Sequence, residues 1–333
     1  MYKELIANQK AAYEKIIAHI GWGLDSLKGY NNLDDYHQGM WSEKQAYCVE
    51  NGLLTGLRLK QTAFKDTNCL KDLHALVDLN LEECQVEDIT ALSFTKNLKS
   101  INLAFNEIKS LDLLNELALL EKINIKGCRF DKIPTLKNLD KLTWLNLEYN
   151  NIEAINKLEN LNLLKYLNIS NNKINELDGL QNLGELEELW ISYNNIKSLA
   201  PLSKNKNLKQ IIASNNYHIS GFEELATLNN LEHISISDSL LKTLNGIGAL
   251  TQLKELDVQS NELTSLGEIV NLNNLQSLNL NMNSISSITN FPVDGFERLE
   301  HFYISQNKLN ENANNLAIID QLKSKIPNTS FGI

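Results

Sequence analysis

The chain has 333 residues, of which 31 are basic and 41 acidic, and its formal net charge is −10. A surface of that sign repels the phosphates of nucleic acids and of anionic lipids, so we expect neither as a general partner. No stretch approaches the roughly 20 consecutive apolar residues that a membrane-spanning helix requires. We therefore expect a protein without a membrane span and without a nucleic-acid partner.

Residues 1–20 place apolar side chains at helical spacing, which predicts an amphipathic helix. The apolar positions are Leu5, Ile6, Tyr13, Ile16, Ile17 and Ile20. Charged residues interrupt them, so the segment does not have the form of a secretory signal peptide. This favours a cytoplasmic protein, and an exported protein whose leader has been removed is the alternative.

A connection rich in glycine, asparagine and aspartate follows this helix, and Trp22, Trp41 and Tyr47 lead from it into the repeats described next. We assign residues 1–53 to an N-terminal helical cap, because the first turn of a repeat array has a bare apolar flank that must be covered. A separate helix that binds a partner is the alternative.

One pattern recurs from residue 54 onward, and residues 164–177 (LKYLNISNNKINEL) represent it. It has the form L-x-x-L-x-L-x-x-N-x-I-x-x-L and recurs 22 residues earlier and 22 residues later. The asparagine position advances in steps of 22 from Thr62 to Asn216 and then in steps of 23, 22, 22 and 24. Its occupants are Thr62, Cys84, Asn106, Cys128, Asn150, Asn172, Asn194, Asn216, Ser239, Asn261, Asn283 and Asn307. This period predicts twelve stacked turns.

Each turn has a simple physical interpretation. Leu167 and Ile169 are predicted to point into the core and Tyr166 and Asn168 away from it, because side chains alternate along a strand. The amide of Asn172 lies where the chain bends, and we expect it to bond the backbone of its own and the next turn. Cysteine, threonine or serine at this position is interpreted as a smaller polar substitute.

These turns resemble the 22-residue class of leucine-rich repeats, which includes the regulatory subunit of protein phosphatase 1 and the bacterial internalins. The resemblance implies an α/β repeat solenoid, shaped as a horseshoe or arc, with a parallel β-sheet on its concave side. The convex side is expected to carry short 3₁₀ helices and turns, because 22 residues leave little room for a longer helix. The twelve repeats span residues 54–309.

Residues 310–333 are predicted to form the C-terminal cap. Leu316, Ile319, Leu322 and Ile326 lie on one helical face, and Pro327 is expected to end the helix.

The four cysteines are predicted to be free thiols. Cys84 and Cys128 occupy the same position two turns apart, and stacked strands separated by about 4.8 Å would hold them too far apart for a disulfide. Cys48 and Cys69 lie near the N-terminal cap, where a bridge between them is the alternative.

No catalytic motif is present: the chain has no Gly-rich phosphate loop, no H-E-x-x-H and no C-x-x-C. His233 is predicted to neighbour Glu255 and Asp257 one turn on, and a histidine with two carboxylates is a possible metal site. We favour an open polar surface there. The sequence therefore predicts a non-enzymatic protein with no metal and no cofactor.

The outward positions of the strands can be compared from turn to turn. Five consecutive asparagines occupy the central position: Asn80, Asn102, Asn124, Asn146 and Asn168. We expect them to hydrogen-bond to one another along the sheet and to keep its open face soluble.

Large apolar side chains cluster at outward positions of the fifth to eighth turns, where the core does not need them. They are Trp144, Tyr149, Tyr166, Trp190, Tyr193 and Ile212, and Phe105 occupies the same rim position as two of the tyrosines. Exposed aromatic clusters mark binding sites, and Trp and Tyr are typical hot-spot residues. The alternative is that these rings only cover the surface of the sheet.

We therefore predict a monomeric cytoplasmic module that binds another protein or a peptide on its concave face through this cluster. The alternative is a secreted or cell-surface recognition protein, such as one of a bacterium, that binds a host protein or a glycan.

Overall fold

The computed structural model of the protein describes residues 5–21, 27–34, 45–309, 313–326 and 328–330. The chain divides into two compact units, unit 1 at Met1–Asn151 and unit 2 at Ile152–Ile333. Each unit contains a stack of the predicted turns, in which a short strand is followed by a bend and a return segment with 3₁₀ helix. The repeat solenoid predicted from the period is therefore confirmed.

Unit 1 begins with helix α1 (Ala7–His19), strand β1 (Lys28–Tyr30) and strand β2 (Gln45–Glu50). Strand β1 is parallel to β2, but β2 is antiparallel to β3 (Leu53–Leu59). Residues 1–53 thus contain strands in addition to the predicted helix. Strands β2 and β3 form a hairpin because the two-residue loop Asn51–Gly52 has φ angles of 52° and 75°, which are those of a tight hairpin turn.

Helix α1 packs against the hairpin through a mostly apolar face. Tyr13, Ile16 and Ile17 are buried on it, whereas Ile6, predicted to belong to this face, is 45% exposed. The fully buried side chain of Gln9 also lies on this face, and its Oε1 accepts the Leu54 N–H at 2.6 Å. The amide therefore ties the helix to the first repeat strand. Trp22 and Trp41, predicted to lead into the repeats, lie outside the described residues.

The repeat strands of unit 1 are parallel from β3 onward, and each buries a leucine or isoleucine at the same position of the register. After β3 they are β4 (Asp78–Asn80), β5 (Ser100–Asn102), β6 (Lys122–Asn124) and β7 (Trp144–Asn146). Short 3₁₀ helices occupy return segments, at Thr67–Asp72, Thr90–Phe94 and Asp112–Glu116.

The strands of unit 2 are also parallel to one another. They are β8 (Tyr166–Asn168), β9 (Glu188–Trp190), β10 (Gln210–Ile212), β11 (His233–Ser235), β12 (Glu255–Asp257), β13 (Ser277–Asn279), β14 (His301–Tyr303) and β15 (Asn328–Ser330). Their return segments carry 3₁₀ helices at Asn156–Leu158, Leu180–Asn182, Ala200–Lys204, Glu223–Leu225, Ile247–Ala249, Ile269–Asn271 and Val293–Gly295. The additional residue between β10 and β11 leaves the register intact, because Gln210 pairs with His233.

Helix α2 (Ala313–Lys325) covers the last turns of unit 2. Ile319 and Leu322 are buried as predicted, but Leu316 is 37% exposed and Asn315 is buried in its place. A hydrogen bond compensates this burial, since Asn315 Oδ1 accepts the Ile288 N–H at 3.1 Å. Pro327, expected to end the helix, lies outside the described residues.

The asparagine at the bend bonds the backbone as predicted. In the turn of Asn194, the amide Nδ2 donates to the carbonyls of Ile169 at 3.0 Å and Ile191 at 3.1 Å, and Oδ1 accepts the Ile174 N–H at 3.0 Å. One side chain thus joins two successive turns.

Cysteine replaces only the donor part of this arrangement. The Cys84 Sγ donates to the Leu59 carbonyl at 2.8 Å, and the Cys128 Sγ donates to the Leu103 carbonyl at 3.3 Å. Both thiols are buried, and burial raises the pKa of Cys128 to about 11. None of the four cysteines, all of which lie in the described ranges, forms a disulfide, as predicted.

None of the helices in the described part of the chain is long and apolar enough to cross a membrane.

Candidate functional site

The seven predicted binding residues lie on the outer face or rim of the strands, opposite the buried leucines. The structure divides them into two groups. Unit 1 contains Phe105, Trp144 and Tyr149, and unit 2 contains Tyr166, Trp190, Tyr193 and Ile212.

In unit 2, three of these side chains occupy adjacent strands. The ring centroids of Tyr166 and Trp190 are 6.4 Å apart and the rings are inclined by 46°. This is within the range of favourable aromatic pairs. Ile212 pairs with Trp190 in the register of β9 and β10. We call Tyr166, Trp190 and Ile212 the apolar strip.

The apolar strip is partly exposed, whereas the residues behind it are fully buried. Leu167, Leu189 and Ile211 have 0% exposure and form the core of the same three strands. All three residues of the strip are half-buried. The core is therefore complete without the strip, as the alternation along each strand predicts.

In the strip and in two of the turns that carry it, three polar atoms are shielded from solvent and have no hydrogen-bond partner among the described residues. They are Trp190 Nε1 and the hydroxyls of Ser170 and Ser192. An unpaired buried polar group costs about 1–3 kcal/mol. In the following turn, by contrast, the Ser214 hydroxyl bonds the Ser237 hydroxyl at 2.7 Å. Among these serine hydroxyls, the unpaired ones belong to the Tyr166 and Trp190 turns.

The rim aromatics share a backbone feature that sequence analysis missed. The residue before the asparagine position is left-handed in all twelve turns, with φ between 50° and 66°. Bulky residues rarely adopt this conformation, and glycine or asparagine adopts it most readily. Even so, Phe105, Tyr149 and Tyr193 occupy it, and they are 43%, 53% and 57% exposed. Three turns thus hold a large exposed ring at a position where a small residue is easier to accommodate.

In unit 1, Lys126 links two of these rings. Its Nζ lies 5.8 Å from the centroid of the Phe105 ring and 4.9 Å from that of the Tyr149 ring. Glu148 holds the same ammonium at 2.7 Å. Phe105 also packs closely over Gly127: a Cβ added to that glycine would lie 2.4 Å from the ring. Phe105 therefore has neighbours on unit 1 despite its exposure.

The prediction that the central asparagines bond to one another is wrong for unit 1. Each side-chain Oδ1 instead accepts the N–H two residues further along its own strand. The distances are 3.0 Å for Asn80 with Glu82, 3.0 Å for Asn102 with Ala104, 3.2 Å for Asn124 with Lys126 and 2.9 Å for Asn146 with Glu148. The physical reason is that a short amide reaches its own backbone more easily than the next strand.

The group considered as a metal site lies on the outer face of unit 2. His233 Nδ1 is 3.3 Å from Glu255 Oε2, and Asp257 Oδ1 accepts the Gln259 N–H at 3.1 Å. Burial raises the pKa of Asp257. No group of three or more His, Cys, Asp or Glu residues in the described ranges is placed to hold a metal ion.

A column of alternating charges precedes the strands, and sequence analysis also missed it. Glu187 Oε1 and Oε2 bond Lys165 at 2.9 Å and Lys209 at 2.7 Å, one turn on each side. These two hydrogen bonds lower the pKa of Glu187 to about 2. The sequence signal for this column is the recurrence of Lys and Glu at a spacing of 22 residues. The charges of this column therefore pair with one another.

A protein-family model described as "Leucine-rich repeat region" matches residues 119–309, which is more than half of the chain. No curated protein matches the sequence. Among solved structures, an internalin of Listeria monocytogenes is 24% identical, with a TM-score of 0.76 over 85% of this chain and 81% of that one. A leucine-rich repeat protein of Leptospira interrogans is 23% identical, with a TM-score of 0.75 over 91% and 81%.

A plant peptide hormone receptor, solved in complex with RGF2, is 18% identical, with a TM-score of 0.64 over 92% of this chain and 50% of the receptor chain. These similarities are similarities of fold. Together with the matched region and the twelve turns, they lead to one conclusion. The chain belongs to the leucine-rich repeat family.

Proposed function

We propose that the protein is a non-enzymatic binding module that takes a protein or peptide partner on the outer face of its strands, with the apolar strip of unit 2 as the anchor. The observation that carries this proposal is a continuous apolar surface in front of a complete core, in which the Tyr166 ring lies 6.4 Å from that of Trp190 and Ile212 pairs with Trp190 on the next strand. Contiguous exposed apolar side chains favour a binding surface.

The residue types of the strip support a macromolecular partner. Tryptophan and tyrosine dominate the energetics of protein interfaces because they bury large areas and carry a polar group. Tyr193, at the rim of the Trp190 turn, adds a third exposed aromatic side chain. A partner that repositions the indole would also offer Trp190 Nε1 an acceptor in place of its present unpaired state.

The fold of the relatives supports a peptide or protein rather than a small substrate. The plant receptor is described as a peptide hormone receptor in complex with RGF2. This chain spans half the length of that receptor chain, so the receptor's ligand is not transferred to it. The class of partner of this chain is inferred from the chemistry of the apolar strip.

Site-specific photocrosslinking in the source cell tests the proposal. A benzoylphenylalanine at position 212 lies beside Trp190, and one at position 163 replaces Leu163, which is 50% exposed on the return segment. We expect a discrete adduct from position 212, lost in Trp190→Ala, and none from position 163. An adduct at position 163 alone, or one at 212 that survives Trp190→Ala, would overturn the proposal.

A further inference from the structure

The outer face of unit 1 differs chemically from the apolar strip. A depression of about 330 Å³ lies over β3 to β7, and polar side chains of successive strands form part of its lining. Two basic side chains, Arg58 and Lys122, and one acidic side chain, Asp78, line it, and Trp144 lies on its flank. The lining is therefore basic in a protein whose formal net charge is −10.

The asparagines of this face present hydrogen-bond donors to the depression. Because the Oδ1 atoms of Asn80, Asn102 and Asn124 are held by backbone N–H groups, their Nδ2 groups are what remain for a ligand. The register places the three side chains side by side on β4, β5 and β6, at a strand spacing of about 4.8 Å. We call them the amide row.

Internal acceptors take up only part of this donor capacity. Asn102 Nδ2 donates to Glu82 Oε2 at 3.2 Å. No acceptor for Asn80 or Asn124 Nδ2 is found within the described residues. In the amide row, the Nδ2 groups of Asn80 and Asn124 thus have no acceptor within the described residues, whereas that of Asn102 between them has one.

Lys122 adds a positive charge next to the row. It lies two residues before Asn124 on β6, so both side chains project from the same face. Neighbouring lysines are paired, as Lys126 is with Glu148 at 2.7 Å and Lys99 with Glu121 at 3.3 Å. Lys122 is exposed and has no ion pair within the described residues.

We infer that the amide row and Lys122 bind a carboxylate side chain of an acidic peptide segment. A carboxylate is an acceptor-only anion, so it complements amide N–H donors and an ammonium at once. A peptide is the occupant because the depression is open along a row of strands and is flanked by Trp144, against which an extended chain can pack. This inference concerns unit 1 and goes beyond the proposed role of the apolar strip in unit 2.

Asn124→Asp is the most specific test of the amide donors. It removes the amide donors but retains an oxygen for the Lys126 N–H. The chain already contains this arrangement, since Asp257 Oδ1 accepts the Gln259 N–H at 3.1 Å. We therefore expect Asn124→Asp to fold like the parent, which a thermal melt verifies.

The experiment pans a display library of random twelve-residue peptides against the full chain. The parent is compared with Asn124→Asp, Lys122→Glu and a charge-matched control, Lys137→Glu, whose side chain is exposed on a return segment. The best acidic peptide and its Glu→Gln or Asp→Asn counterpart are then measured by fluorescence anisotropy. Trp190→Ala is included to separate this surface from the apolar strip.

We expect enrichment of Asp or Glu on the parent and on Lys137→Glu, and its loss on Asn124→Asp and Lys122→Glu. Affinity should fall by about tenfold or more in either variant and on neutralising the peptide carboxylate, as for a lost charge-assisted hydrogen bond. Trp190→Ala should leave it unchanged. Absence of acidic enrichment, retention of binding in Asn124→Asp, or an equal loss in Lys137→Glu would overturn the inference.

Discussion

Replacing Asn194 by alanine probes how the turns of unit 2 are joined. Its Nδ2 donates to the carbonyls of Ile169 and Ile191 at 3.0 and 3.1 Å, and its Oδ1 accepts the Ile174 N–H at 3.0 Å. Alanine leaves all three backbone groups without this partner. At about 1–1.5 kcal/mol for each lost hydrogen bond, the free energy of unfolding should fall by roughly 3–4.5 kcal/mol.

Two further variants calibrate this loss. Asn207 lies on a return segment and donates one exposed bond to the Gly184 carbonyl at 3.0 Å, so Asn207→Ala should cost about 1 kcal/mol or less. Asn194→Cys should be intermediate, because a thiol at this position retains a donor but no acceptor, as Cys84 shows.

Urea denaturation followed by circular dichroism measures the three variants against the parent. The expected order of stability is parent, Asn207→Ala, Asn194→Cys and Asn194→Ala. If Asn194→Ala unfolded at the same urea concentration as Asn207→Ala, the account of how the turns are joined would be refuted.

Three other predictions follow from individual contacts. Gly127→Ala should lower the melting temperature, because the new Cβ meets the Phe105 ring and the backbone φ of 66° is unfavourable for alanine; Phe105→Ala should relieve part of the loss. The Glu187 carboxyl should titrate near pH 2 in an NMR pH titration. Since its pKa is lower in the folded state, its ion pairs should stabilise the fold above pH 4.5, and this stabilisation should be lost as the pH falls toward 2. Replacing Lys165 and Lys209 by alanine should raise the midpoint of the Glu187 titration. Thiol titration should count four free cysteines after non-reducing denaturation and slow reaction of Cys128 before it; a count of two would refute this.

The repeats were predictable because each turn must bury the same positions. Leu167 and Leu189 are fully buried and Tyr166 and Trp190 are not, as the alternation along a strand requires. The period also located the asparagine at each bend, whose bonds depend only on the stacking of identical turns.

Features set by local chemistry were harder to predict. The Asn51–Gly52 hairpin lies before the first repeat, where the period carries no information, although Asn-Gly is a strong turn signal. The central asparagines were expected to bond across strands, whereas Asn80 and its neighbours bond their own backbone. The unpaired atoms beside Trp190 depend on side-chain packing, which no sequence pattern encodes.

The most direct test of the proposed function pairs calorimetry with thermal melts on Trp190→Ala and Leu189→Ala, using a partner captured through position 212. Trp190→Ala should weaken binding by about 2 kcal/mol, roughly thirtyfold, and cost about 1 kcal/mol or less in stability. Leu189, which has 0% exposure, should cost about 2–5 kcal/mol in stability when replaced by alanine. A Trp190→Ala protein that binds like the parent, or that melts like Leu189→Ala, would contradict the account.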